Sequence, residues 1–181
     1  GCGVLGGELA SGAGRRGWEP ALELESVVGG SKYMEDGVVA PAVFVGSLAA
    51  RAERRGVKLL TLTEVLKIET SGRRITSVQT TRGDFVPQEV ILAGGAWAPL
   101  LVKGMNIRLP IQAAKGYSIT TRKPAVCPKI PLAHVEGKIG VTPFKDTLRF
   151  AGTLELAGLN MNINRRRVEA IMRAVRSGFP E

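Results

Sequence analysis

The chain has 181 residues, of which 44% are hydrophobic and 23% charged, and a formal charge of +9. That composition is ordinary for a globular protein and supplies one full core or two small ones. The longest uncharged runs, residues 38–50 and 90–102, fall short of the roughly 20 apolar residues that span a bilayer. One histidine, His134, and two distant cysteines, Cys2 and Cys127, exclude a His-rich metal site and a disulfide framework.

In chain order, Gly1-Cys2-Gly3-Val4-Leu5-Gly6 fits G-x-G-x-x-G. No strand precedes it, and Pro20 stands where a second strand would run, so it reads as a Gly-rich lead-in. Lys32-Tyr33-Met34 reads as a short strand and Glu35-Asp36-Gly37 as a turn. A helix is expected from Pro41, with Phe44, Leu48 and Ala52 on one face. Arg51, Arg54 and Arg55 suit its negative dipole end, and Gly56 stops it. Residues 57–62 read as a strand. A meander follows, with strands over 64–69 and 75–80 and turns at Ser71-Gly72-Arg73 and Thr81-Arg82-Gly83-Asp84. Leu66 and Ile68 are expected on one face of it.

Residues 90–93 form an apolar run ending in Gly94-Gly95, the pattern of a buried, parallel strand. The glycines let the backbone pass close to another body, and a helix starting after them would aim free N–H groups at an anion. Further on, residues 112–121 read as a long strand and the proline-rich 122–131 as a connector. Residues 138–144 and 147–156 form a hairpin around Lys145-Asp146. A last helix is capped within residues 160–164 and buries Val168, Ile171, Met172 and Val175. The fold class expected is α/β with α+β character. Residues 1–109 would hold part of a Rossmann-like domain with a β-meander, and residues 110–181 an antiparallel sheet with a C-terminal helix.

Several segments resemble the D-amino-acid oxidase-like superfamily of FAD-dependent oxidoreductases, the bacterial D-amino-acid dehydrogenases above all. Ala93-Gly94-Gly95-Ala96-Trp97 is similar to the family's "AAGAW", and Glu35-Asp36-Gly37-Val38-Val39-Ala40-Pro41 to "EDGxVDP". Thr63-Glu64-Val65-Leu66-Lys67-Ile68 resembles "TxVxxI". Lys115-Gly116-Tyr117-Ser118-Ile119-Thr120 matches "KGYSIT", and residues 148–158 are close to "LRxAGTxELxG". Trp18-Glu19-Pro20-Ala21-Leu22 is similar to "LEPAL". Departures are Ala40, where the family has Asp, and Gly94, where it has Ala.

The resemblance implies FAD as cofactor. The backbone at Val65 would lie against the adenine, and Ala93, Gly94, Gly95, Ala96 and Trp97 near the phosphates and ribose. It implies oxidation of an amino acid at its α-carbon, giving an imino acid that water hydrolyses to a 2-oxo acid and ammonia. The acceptor would be oxygen or a quinone-type compound. On the substrate side, Tyr117 could bond a carboxylate, or be a half-buried sheet tyrosine. Lys115 and Arg149 could add positive potential, or be solvated strand residues. No residue is assigned a catalytic role and no metal is expected. The resemblance also implies a dinucleotide-binding unit upstream and a C-terminal segment, so the chain reads as the middle of a larger enzyme, completed by further segments or a partner subunit. The expected location is the cytoplasm or, peripherally, the inner face of a bacterial membrane.

The residues alone support the absence of Ser-His-Asp, paired-carboxylate and metal-cluster signatures, which disfavours a hydrolase. The alternative reading is a non-catalytic basic module that retains the fold and binds an anion, a protein partner or nucleic acid. Arginine clusters such as Arg165-Arg166-Arg167 are spread through the chain and no recognition motif accompanies them, so nucleic acid is not an expected partner.

Overall fold

A computed structural model describes residues 7–11, 18, 19 and 28–179. The Gly1–Gly6 motif and most of the LEPAL-like segment lie outside the described residues. The described chain forms two compact units. One contains the described residues up to Phe44 together with Gly116–Glu155 and the described part from Asn162 onward. The other contains Val45–Lys115 and Leu156–Met161. The units therefore interleave along the sequence.

In the first unit, β1 (Gly7–Ser11) and β2 (Gly29–Tyr33) form an antiparallel pair with Gly7 opposite Tyr33 and Ser11 opposite Gly29. The main sheet has four strands: β6 (Lys115–Arg122), β7 (Leu132–His134), β8 (Ile139–Pro143) and β9 (Thr147–Glu155). Their order is β6-β9-β8-β7. β8 and β9 make the hairpin expected around Lys145-Asp146, closed by Phe144 N–H donating to Thr147 O at 2.8 Å. β7 was not anticipated. Its three residues follow the proline-rich connector and pair with β8, Leu132 opposite Val141. Three residues are too few to show an alternating pattern in sequence.

A helix of 14 residues (Arg165–Gly178; α3, after the two helices of the other segments given below) packs on β9 and β8. Asn164 caps it, its side chain accepting from Arg166 N–H at 3.1 Å, as the sequence suggests. Ile171 is buried, and Val168 and Val175 pack against the core formed by Tyr117, Ile139, Val141, Leu148, Phe150 and Ile171. Met172, expected on the same face, is exposed at its margin. Gly152 lets α3 approach closely. A Cβ there would lie 3.1 Å from both Ile139 Cγ2 and Ile171 Cγ1.

Helix α1 (Pro41–Arg54) starts at its proline and ends before Gly56, whose φ of +89° explains the glycine. It buries none of its residues. Phe44 and Leu48, the expected inner face, are both more than half exposed.

In the second unit, β3 (Val65–Ser71) and β4 (Arg74–Thr80) make the expected antiparallel pair of the meander, and β5 (Gly83–Phe85), which begins within the expected turn, adds a third strand. The ladder is irregular between Val65 and Lys67, so Leu66 is exposed while Ile68 is buried, contrary to the expectation of one shared face. A 3-10 turn (Gly95–Trp97) leads into α2 (Ala98–Leu101), which packs on β3 and buries Ala98.

Two expected strands are absent. Residues 57–62 and 90–93 carry no strand pairing among the described residues. Leu62 has a left-handed φ of 53°, incompatible with a strand, and Ile91 is exposed. A strand exists only through its ladder bonds, and neither run belongs to a sheet among the described residues.

Candidate functional site

The residues singled out in sequence fall into two sets. Val65, Ala93, Gly94, Gly95, Ala96, Trp97 and Lys115 belong to the second unit, and Tyr117 and Arg149 to the first.

Val65, at the start of β3, lines a largely apolar cleft of about 380 Å³. Leu60, Val78, Phe85, Val90 and Ile91 form most of the wall, and Thr63 and Thr80 add hydroxyls. Its only charged lining residue among the described residues is Glu89, so it suits a flat, uncharged body and not a phosphate. The segment leaving this cleft runs directly into Ala93 and the glycine pair.

The bend at 94–97 is a single 3-10 turn. Gly95 has φ +53°, which favours glycine, and nothing lies within 4 Å of where its Cβ would stand. Space beside the backbone is therefore open. Gly94 has an ordinary φ, but its added Cβ would meet Ala98 N at 3.4 Å. The turn's own bonds use the N–H groups of Trp97 (to Gly94 O) and Ala98 (to Gly95 O), and not those of Gly95 and Ala96. Trp97 is more than half exposed. The expected helix after the glycines does form, but α2 has four residues, too few for a substantial dipole. What the bend offers an anion is backbone N–H groups and room, without help from a long helix. A cofactor with a flat apolar end and a phosphate link fits this pair of features. Val65 and its neighbours would take the flat end, and Gly95 and Ala96 the link.

Tyr117 is buried in the core cluster, and its hydroxyl is engaged inside the protein. It donates to Glu155 Oε2 and accepts from Asn164 N–H at 3.2 Å. The phenol thus ties β6 to the end of β9 and to the cap of α3. Lys115 Nζ donates to Asn160 O at 2.9 Å. Arg149 Nε donates to Thr120 Oγ1 at 3.3 Å, and the guanidinium lies 5.5 Å from the Phe144 ring centroid. All three side chains therefore hold the sheet and the connector after it.

Sequence reasoning missed Glu19. It is 1% exposed, and its Oε2 accepts from Lys129 N–H at 2.6 Å and Ile130 N–H at 3.2 Å. A buried carboxylate needs such donors. Two of them come from the proline-rich connector, more than a hundred residues away, which no local pattern reveals. His134, at the end of β7, is a packed histidine. Gly178 of α3 lies so close that an added Cβ would sit 3.2 Å from the ring. Among the described residues no cluster could hold a metal, and no helix is long and apolar enough to cross a membrane.

An α/β chain with an antiparallel meander, a separate antiparallel sheet and a glycine bend beside an apolar cleft has the parts of a flavin-dependent oxidoreductase. The model of the FAD dependent oxidoreductase family matches residues 5–181, and the chain belongs to that family. It is 32% identical over 178 residues to a D-amino acid dehydrogenase of Rhizorhabdus wittichii, covering 96% of this chain and 43% of that protein. It is 33% identical over 167 residues to a D-amino acid dehydrogenase of Sinorhizobium medicae, covering 90% of this chain and 40% of that protein. Among solved structures, glycine oxidase from Bacillus cereus superposes with a TM-score of 0.80 at 22% identity, over 96% of this chain and 48% of that one. L-proline dehydrogenase from P. horikoshii gives 0.80 at 19%, over 96% and 50%. The fold is thus shared with that glycine oxidase and that L-proline dehydrogenase. The chain spans about two fifths of the length of these curated relatives.

Proposed function

We propose that this chain forms part of an FAD-dependent oxidoreductase that oxidises D-amino acids to 2-oxo acids and ammonia. The observation that supports it most is the open glycine bend at Gly94-Gly95 next to the apolar cleft at Val65, in a chain of this family. FAD, when bound, supplies the acceptor for the hydride equivalent. The chain's own residues bind and orient it. Val65 and the cleft walls hold the adenine end in an apolar place. Gly95 and Ala96 offer N–H groups where a side chain would block approach.

In this reading the meander unit contributes cofactor surface. Tyr117, Lys115 and Arg149 are the substrate-side candidates, and Tyr117 also fixes the end of β9 against the cap of α3. In this reading the acceptor is a quinone-type compound and the protein lies in the cytoplasm, peripherally at the inner membrane face. Further polypeptide completes the site.

The test is a chimera in which this chain replaces the matching region of the Rhizorhabdus wittichii protein. Turnover of a panel of D-amino acids with an artificial dye acceptor, and not of their L-enantiomers, is expected. A folded, FAD-loaded chimera that is silent toward every D-amino acid would refute the reading.

A further inference from the structure

Side chains alternate between the two faces of a strand. In β9, Leu148 and Phe150 lie in the core, and Gly152 lies against Ile171 of α3. Leu154, next on that face, is instead 58% exposed. Glu155, due on the opposite face with the exposed Ala151, accepts the hydroxyl of Tyr117, a core residue. The alternation therefore inverts between Gly152 and Leu154. Thr153 stands at that point with φ +24°, a value that a β-branched residue adopts only at a cost. Its Oγ1 is buried and has no hydrogen-bond partner among the described residues, which is a second cost. The β8–β9 pairing stops just before, at Gly140 opposite Ala151. Two steps further in the same phase Thr153 would face Lys138, whose φ is also positive, at 52°.

We infer that the kink at Thr153 positions Tyr117. It exchanges the two faces of the strand's end and turns the Glu155 carboxylate onto the phenol, where a regular strand would send it the other way. The phenol in turn accepts from Asn164 N–H, so the same kink sets the start of α3. If β9 ran straight, Thr153 would relax to an extended φ, its hydroxyl would reach the open face, and Leu154 would return to the core side. Both costs at Thr153 are therefore borne for the bonds that Tyr117 makes to Glu155 and Asn164. The inference rests on the reading of Tyr117 as a substrate-side residue of the proposed oxidoreductase, and adds to it the element that fixes where the phenol stands.

Hydrogen–deuterium exchange and kinetics of the chimera described above test this at position 153. Glycine inside an ordinary strand lowers stability, but at a positive φ it relieves strain. Thr153→Gly should therefore raise the protection of β8 and β9 amides by about threefold or more, with KM for the D-amino acid within about twofold of the parent. With Tyr117→Phe, which leaves Glu155 without the phenol and β9 free to straighten, the same substitution should give no gain. Thr153→Pro forbids a positive φ. It should speed exchange of the Asn164 amide by about tenfold relative to β8 and raise KM by about fivefold, with kcat within about twofold. The inference is overturned if Thr153→Gly lowers protection, or if its gain persists beside Tyr117→Phe. It is equally overturned if a folded Thr153→Pro chain keeps the parent's Asn164 protection and KM. Should proline also strip β8 of protection, the glycine comparison decides. A chimera that turns over no D-amino acid even with threonine at 153 refutes the proposed function alone, because the exchange comparison is made on the chain without substrate or FAD.

Discussion

Replacing Gly152 by Ala tests why the family-like stretch around residues 151–155 carries a glycine in the middle of a strand. The added methyl would meet Ile139 Cγ2 at 3.1 Å, Ile171 Cγ1 at 3.1 Å and the Lys138 carbonyl oxygen at 3.3 Å. Ile139 and Ile171 are 4% and 1% exposed, so neither can swing into solvent. Overpacking of this kind costs about 1–3 kcal/mol, and the stiffer unfolded chain returns about 0.4–1 kcal/mol. A net loss of about 1–2 kcal/mol is expected in the exchange free energy of β8 and β9 amides. Ile171→Ala alone should cost about 2–5 kcal/mol by leaving a cavity. It also removes the Cγ1 that crowds residue 152. The double variant should therefore be less destabilised than the sum of the two by about 1 kcal/mol, a coupling typical of touching residues. Strict additivity, or a Gly152→Ala chain as stable as the parent, would refute the close approach of α3 to β9.

Tyr117→Phe removes a hydroxyl bonded to Glu155 and Asn164, and should cost about 1–3 kcal/mol in the stability of β6 and α3. A raised KM in the chimera with unchanged stability would instead make it a substrate ligand. Asn164→Ala should fray the start of α3 and cost about 1 kcal/mol, read from exchange in its first turn. Glu19→Ala leaves the N–H groups of Lys129 and Ile130 without this acceptor in a partly buried place. Limited proteolysis should then cut the 122–131 connector faster, while Glu19→Gln, which keeps an acceptor oxygen, should be affected less.

The parts legible in the sequence are those fixed by local chemistry. The meander shows its turns at Gly72 and Gly83, both with positive φ. α1 shows its proline start and glycine stop, and α3 its cap and one apolar face. Residues 57–62 and 90–93 were misread as formed strands because strand propensity describes a half-buried surface and says nothing about whether a neighbour is present. The exposure of Leu66 follows from an irregularity in the β3 ladder that its alternating sequence does not announce. The glycine pair after an apolar run and a strand beginning near Val65 were legible in the family-like segments. The engagement of the Tyr117 hydroxyl was not, since Glu155 and Asn164 are brought to it by the fold over 38 and 47 residues.

The most direct measurement is a titration of the purified chain and of the chimera with FAD, followed by flavin fluorescence, with Gly95→Val as the control. Saturable binding by the chimera, lost or weakened at least tenfold by Gly95→Val while β8 and β9 protection is unchanged, is the expected result; tenfold corresponds to about 1.4 kcal/mol. A chimera that folds and protects β8 and β9 yet binds no FAD, or binds it equally well with valine at position 95, would contradict the assignment of the glycine bend as cofactor surface.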